Sequence, residues 1–119
     1  MVKSTVSKTK DFNPNNCPVG YCMNIIGGKW KPVLIYMIRT ERNRYSLLLK
    51  NIPDISKQTL TNQLRELESD GVIERIIFPE IPPRVEYNIT PFGESLVPII
   101  DSMYAWAIKH MPTPHQHRS

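Results

Sequence analysis

The stretch Ser46–Gly71, SLLLKNIPDISKQTLTNQLRELESDG, decides the fold of this 119-residue chain. Ser46 stands where it can cap a short helix over Leu47–Asn51, since a serine oxygen can accept an N–H that a helix leaves unpaired at its start. Pro53-Asp54 then marks a turn. Ser56 caps a second helix that is expected to run to about Asp70. Its Leu60, Leu64 and Leu67 recur at the spacing of one buried stripe. Gly71 supplies the stop. A short helix, a tight turn and a capped helix, in that order, make a helix-turn-helix.

The exposed side of the second of these helices follows from its geometry. With Leu60 facing inward and about 100° of rotation per residue, Gln58, Asn62, Arg65 and Ser69 face outward. Thr59 and Thr61 flank them, and Ser56 and Lys57 lie at the helix start. Gln and Asn can pair with adenine through two hydrogen bonds, Arg with guanine, and Thr can touch a thymine methyl or a phosphate. An ordinary solvated helix face could carry the same residues. The succession of elements around it favours a reading helix in a DNA groove.

Downstream, Val72–Phe78 is a β-rich run, and Arg84–Ile89 alternates apolar Val85, Tyr87 and Ile89 with polar Arg84, Glu86 and Asn88. Pro79-Glu80-Ile81-Pro82-Pro83 between them makes a stiff hairpin tip, so a wing follows the helix-turn-helix. Arg84, at the base of that tip, is a candidate for phosphate or the minor groove, or else for a surface pair with Glu80 or Glu86. Arg75, in mid-strand, is a weaker candidate.

Upstream, Cys17-Pro18 opens a first helix that closes at Gly27-Gly28, with Val19, Met23 and Ile26 on one face and Cys22 and Ile25 beside them. A second helix is expected to begin near Lys29 or Trp30 and to bury Trp30, Val33, Leu34, Met37 and Ile38. Tyr45 is a candidate for a short strand. At the other end, Thr90-Pro91 starts a last helix reaching about His110, with Pro98 expected to kink or restart it. Leu96, Ile100, Met103 and Ala107 line one of its faces, and Val97, Tyr104, Ile108 and Met111 another. A domain this small cannot cover so wide an apolar arc, so a second copy of the chain is the simplest partner.

The remaining sequence sets bounds. The length allows one domain, expected over residues 17–111, between a polar arm (1–16) and a frayed tail (112–119). The net charge of +4 suits an anionic partner. Residues 29 to 50 concentrate it: Lys29, Lys31, Arg39, Arg42, Arg44 and Lys50 stand against Glu41 alone. Lys29 and Lys31, at the start of the second helix, are candidates to hold phosphate, with plain solvation as the alternative. No run approaches the roughly 20 apolar residues of a membrane span, and no signal peptide opens the chain, so the expected location is the cytoplasm. His115 and His117 lack companions for a metal site, and no cofactor is implied. All three histidines lie at the C-terminal end, and no catalytic triad, phosphate-cradling glycine loop or paired carboxylates stand out, which argues against an enzyme.

Cys17, ahead of Pro18, sits where a helix dipole favours a thiolate, so it is a candidate oxidant or electrophile sensor. An unreactive packing cysteine is the alternative. Cys22 lies about 140° around the helix, so an intrachain disulfide would strain it.

Taken together, Cys17-Pro18, Gly27-Gly28-Lys29-Trp30-Lys31, Gln63–Gly71 and Pro82-Pro83-Arg84-Val85-Glu86-Tyr87, with Thr90 and Gly93, resemble the signature of the HxlR-type regulators. The resemblance covers about residues 17 to 107. It implies a winged-helix homodimer that binds an inverted-repeat operator in double-stranded DNA and dimerises through its terminal helices. Some members sense quinones, aldehydes or oxidants through the cysteine before the proline. The expected fold class is therefore α+β, mostly α: a winged helix-turn-helix with a two-stranded wing hairpin and terminal dimerisation helices. The alternative function is a winged helix used for protein–protein contact without specific DNA binding. Against it stand the basic second helix and the polar outer face of the helix after Ser56.

Overall fold

A computed structural model describes residues 16–112. The expected arm and tail, with Lys3, Lys8, Lys10, His115 and His117, lie almost wholly outside them. Helix α1 spans Pro18–Ile26, with Cys17 at its N-cap and proline in its first turn. It ends where the Gly27 N–H reaches the Met23 carbonyl, and Gly28 then turns the chain at φ 94°. Its buried residues are Ile25 and Ile26. Val19 and Met23, expected to share a face with Ile26, are exposed while Ile26 is buried, because the core meets only the C-terminal turn of the helix.

Helix α2 spans Lys31–Arg39, one or two residues later than expected, with Trp30 as its N-cap. Pro32 therefore falls in the first turn, where its missing N–H costs nothing. Its inward stripe is Lys31, Leu34, Ile35 and Ile38. Val33, expected inside, is exposed, and Trp30 packs half-buried against the core.

Helix α3 spans Tyr45–Asn51. Arg44 holds its N-cap position, and no side chain caps it, so Ser46 is not the expected cap but an exposed residue of the first turn. Arg44 forms a β-bridge with Glu86, and the Tyr87 N–H donates to the Asn43 carbonyl at 2.9 Å. That third rung on the hairpin fixes where the helix starts. The short strand expected at Tyr45 is this bridge, one residue earlier.

After the turn at Asp54, where φ is 69°, helix α4 spans Lys57–Ser69. The Ser56 hydroxyl accepts the Thr59 N–H at 3.0 Å, as a serine cap should. Leu60, Leu64 and Leu67 are buried, and Gly71 turns the chain away at φ 78°. Strands β1, Ile73–Phe78, and β2, Arg84–Ile89, pair antiparallel from Ile73 with Ile89 to Phe78 with Arg84.

The expected single last helix is two. Helix α5 is the short turn Pro91–Glu94, capped by Thr90, and helix α6 spans Val97–His110 with Pro98 in its first turn, so the proline restarts the helix. Gly93 is buried so tightly that a Cβ there would lie 2.2 Å from the Val72 carbonyl oxygen. Fully buried Ile26, Leu34, Ile35, Leu48, Leu60, Leu64, Leu67, Val72 and Ile73 make one core, to which α1 through α4 and β1 all contribute. The result is a winged helix. No helix among the described residues is long and apolar enough to cross a membrane.

Candidate nucleic-acid interface

The Ser56 cap and the three-leucine stripe of α4 fix its rotation, and with it what faces out. Lys57, Gln58, Asn62, Arg65 and Ser69 are exposed, and among the described residues no hydrogen bond or ion pair holds the side chains of Lys57, Gln58, Asn62 or Arg65. Thr59 and Thr61 are half-buried and locally satisfied. The Ser56 hydroxyl donates to Thr59 Oγ1 at 3.0 Å, and Thr61 Oγ1 lies 3.0 Å from the Tyr45 hydroxyl. Tyr45 also reaches the Lys57 carbonyl at 3.4 Å, so α3 grips the first half of α4 at two points.

The basic start of α2 divides. Lys29 is exposed, its ammonium 4.7 Å above the Trp30 ring. Lys31 is only 8% exposed, and its ammonium is ion-paired with Glu66 of α4. The expectation that Lys31 holds phosphate gives way to this: it sits on the same stripe as Leu34, Ile35 and Ile38, and that stripe faces α4 rather than solvent. One partner of this pair is exposed, so the bond serves to seat α4 more than to stabilise the fold.

Arg84 takes the pairing alternative. Its Nη1 lies 3.0 Å from Glu80 and its Nε 3.0 Å from Glu86, the latter close but not aligned as a hydrogen bond. Its guanidinium stacks 3.9 Å over Phe78. Glu86 is shared with Arg44 at 3.6 Å.

Between α4 and the hairpin runs an open cleft of about 610 Å³, lined by four arginines (Arg44, Arg65, Arg75 and Arg84) and two glutamates, Glu68 and Glu80. Ile81, Pro82 and Pro83 form its apolar rim, and Tyr45 and Tyr87 also line it. Burial raises the Tyr87 phenol above its ordinary value, with Arg75 opposing and Glu68 reinforcing the shift. Tyr45, Arg44 and the Lys31–Glu66 pair were not legible as parts of this surface, because each acts through a contact between elements distant in sequence.

Cys17, at the α1 N-cap, is half-buried. Cys22 is also half-buried and packs against the core. Among the described residues no three His, Cys, Asp or Glu side chains converge to hold a metal.

Known proteins share this architecture. The family model described as HxlR-like helix-turn-helix matches residues 25–115. The uncharacterized HTH-type transcriptional regulator YybR of Bacillus subtilis is 38% identical over 116 residues, 96% of this chain and 93% of that protein. YdeP of the same species, named in the same way, is 46% identical over 94 residues, 79% of this chain and 73% of YdeP. The oxidized form of the redox regulator HypR superposes with a TM-score of 0.77 at 39% identity, covering 82% of this chain and all of that one. The reduced form of the transcriptional regulator YodB from B. subtilis does so at 0.66 and 30% identity, covering 80% and 94%.

Proposed function

The chain belongs to the HxlR-like helix-turn-helix family and is a transcription regulator of the helix-turn-helix type, and from that premise we propose that it acts as a homodimer on an inverted-repeat DNA operator. The observation that carries the proposal is the unpartnered outer side of α4. Lys57, Gln58, Asn62 and Arg65 are held on a rigid, capped helix, and among the described residues no hydrogen bond or ion pair engages their side chains. Such a helix fits the major groove, where amide and guanidinium groups can read base edges. Ser56, Thr59 and Thr61 support that side through the cap and the Tyr45 contact, with their remaining capacity directed to phosphate. Lys29, exposed ahead of α2, is a further phosphate contact. Arg84 serves the wing by holding Glu80 and Glu86.

The dimer reading rests on apolar surface. Val19, Tyr21 and Met23 of α1 are exposed, as are Tyr104, Trp106 and Ile108 of α6 and the adjoining Met111. Burying both terminal helices against a second copy would remove that surface from water. Two-fold symmetry then sets half-sites about one helical turn apart, or a simple multiple.

Binding of fluorescent duplexes from the DNA upstream of the protein's own gene, read by anisotropy across a salt series, tests the proposal. Tight binding of one duplex over scrambled DNA, falling steeply with salt, is the expected result. Equal binding to all duplexes would remove the specific-operator reading.

Cys17 adds a sensing step to the same function. It stands half-buried at the N-cap of α1, and two of the relatives are redox-linked: HypR is a redox regulator, and YodB has been crystallised after diamide treatment. Diamide is expected to change operator binding in the wild type and not in Cys17→Ser. An unchanged oxidant response in the variant would take Cys17 out of the mechanism.

A further inference from the structure

The cleft between α4 and the hairpin has a shape that DNA geometry can use. If α4 lies in a major groove and the hairpin tip reaches the neighbouring minor groove, the sugar–phosphate strand dividing those grooves must pass between them. That space is the arginine-lined cleft. We infer that the cleft is the track for one DNA strand, and that Arg75 of β1, with Arg65 of α4, grips its phosphates in place of Arg84. This rests on the DNA-binding reading above and assigns the wing's electrostatic contact within it.

The charges in the cleft divide into two groups. Arg84 faces Glu80 and Glu86, and Arg44 faces Glu86. These two cations are compensated by carboxylates of the hairpin. They cancel carboxylates that would otherwise repel a phosphate strand. Arg65 and Arg75 have no carboxylate within ion-pair distance among the described residues, and both are exposed. Both line the cleft together with Tyr87. Of the two glutamates that line the cleft, Glu80 is paired with Arg84, so Glu68 alone stands against the two arginines and leaves an excess of positive charge. The rim residues Ile81, Pro82 and Pro83 bring no charge, and Ile81 is fully exposed at the tip. At the tip the strand meets Glu80, whose charge is already paired with Arg84. A guanidinium binds phosphate through two parallel N–H bonds, and two of them in one cleft suit successive phosphates of a strand.

The test measures duplex affinity against salt, using a mixed-sequence duplex of about three helical turns and, in parallel, the upstream duplex. Each phosphate contact contributes about 0.9 to the slope of log K against log salt. Arg75→Gln, carried by both protomers of the proposed dimer, should lower that slope by about two contacts' worth on both duplexes, and Arg75→Lys should restore it. Lys109→Gln, which removes an equal charge on α6, should leave the slope at the wild-type value. A wild-type slope in Arg75→Gln, or an equal fall in Lys109→Gln, would overturn the inference while leaving the DNA-binding reading standing. Failure of the wild-type protein to bind either duplex would sink both. Arg75 is exposed, and an unchanged melting temperature in Arg75→Gln would show that the fold is intact.

Discussion

Two uncovered surfaces of this molecule differ in kind. The outer side of α4 is polar: Lys57, Gln58, Asn62 and Arg65 are exposed, and among the described residues no hydrogen bond or ion pair holds their side chains. The outer side of the terminal helices is apolar, with Val19 at 70% exposure, Trp106 at 65% and Ile108 at 58%. Water solvates the first surface well and the second badly, so their partners are demanded with different urgency. The apolar surface calls for a permanent cover. The polar surface can wait, and its partner comes and goes with salt and sequence. The proposed homodimeric regulator needs that division, because its dimer would have to persist while the contact with DNA is switched.

The largest expected effect comes from charging the apolar side. Ile108→Glu should convert the dimer to monomer in analytical ultracentrifugation at micromolar protein. Ile108 is exposed, so the monomer should keep its helical circular dichroism. Losing the link between two half-site contacts should cost about 10²- to 10⁴-fold in operator affinity. A variant that stays dimeric would move the interface elsewhere and break the contrast drawn here.

Asn62→Ala acts on the polar side and should leave sedimentation unchanged. Removing a two-bond contact to a base typically costs about 1–3 kcal/mol of discrimination. Binding to the preferred duplex should weaken accordingly, and binding to mixed-sequence DNA should hold. Equal weakening on both would mean that α4 grips the backbone without reading bases.

How far each surface was legible in the sequence follows from the same distinction. The α4 face emerged from Leu60, Leu64 and Leu67 alone, because a buried stripe dictates its opposite side. The wide apolar arc of the last helix was equally plain from Leu96, Ile100, Met103 and Ala107 with Val97, Tyr104, Ile108 and Met111, and of these Met103, Tyr104, Ile108 and Met111 are exposed. What escaped depended on pairings. Lys31 reads as a solvated cation until α4 brings Glu66 against it. Arg84 outranked Arg75 by its place beside the hairpin tip, although Glu80 and Glu86 engage it and leave Arg75 open. Val19, Met23 and Ile26 read as sharing one face of α1, yet Ile26 is buried while Val19 and Met23 belong to an apolar side that the single chain does not cover. Periodicity says which residues share a side; it does not say which side meets the domain and which meets a second copy. The split of the last helix was signalled by Pro98 but not located, since the break also depends on the packing of Gly93 under Val72.

The smallest expected effect sharpens the comparison most finely. Helix α6 has no side-chain cap, whereas α4 begins with Ser56 bonded to the Thr59 N–H and hydroxyl. An apolar interface tolerates small rotations, because burial has little directional preference. A helix that reads base edges does not, because its hydrogen bonds depend on angle. Ser56→Ala should therefore cost about 1 kcal/mol of folding stability, as lost serine caps do, measured by urea unfolding of the dimer. Fraying the first turn also loosens Lys57 and Gln58, so discrimination between duplexes should fall while the dimer stays intact. Loss of stability without loss of discrimination would show that the reading contacts lie beyond the first turn, at Asn62 and Arg65, and that the cap serves the fold alone.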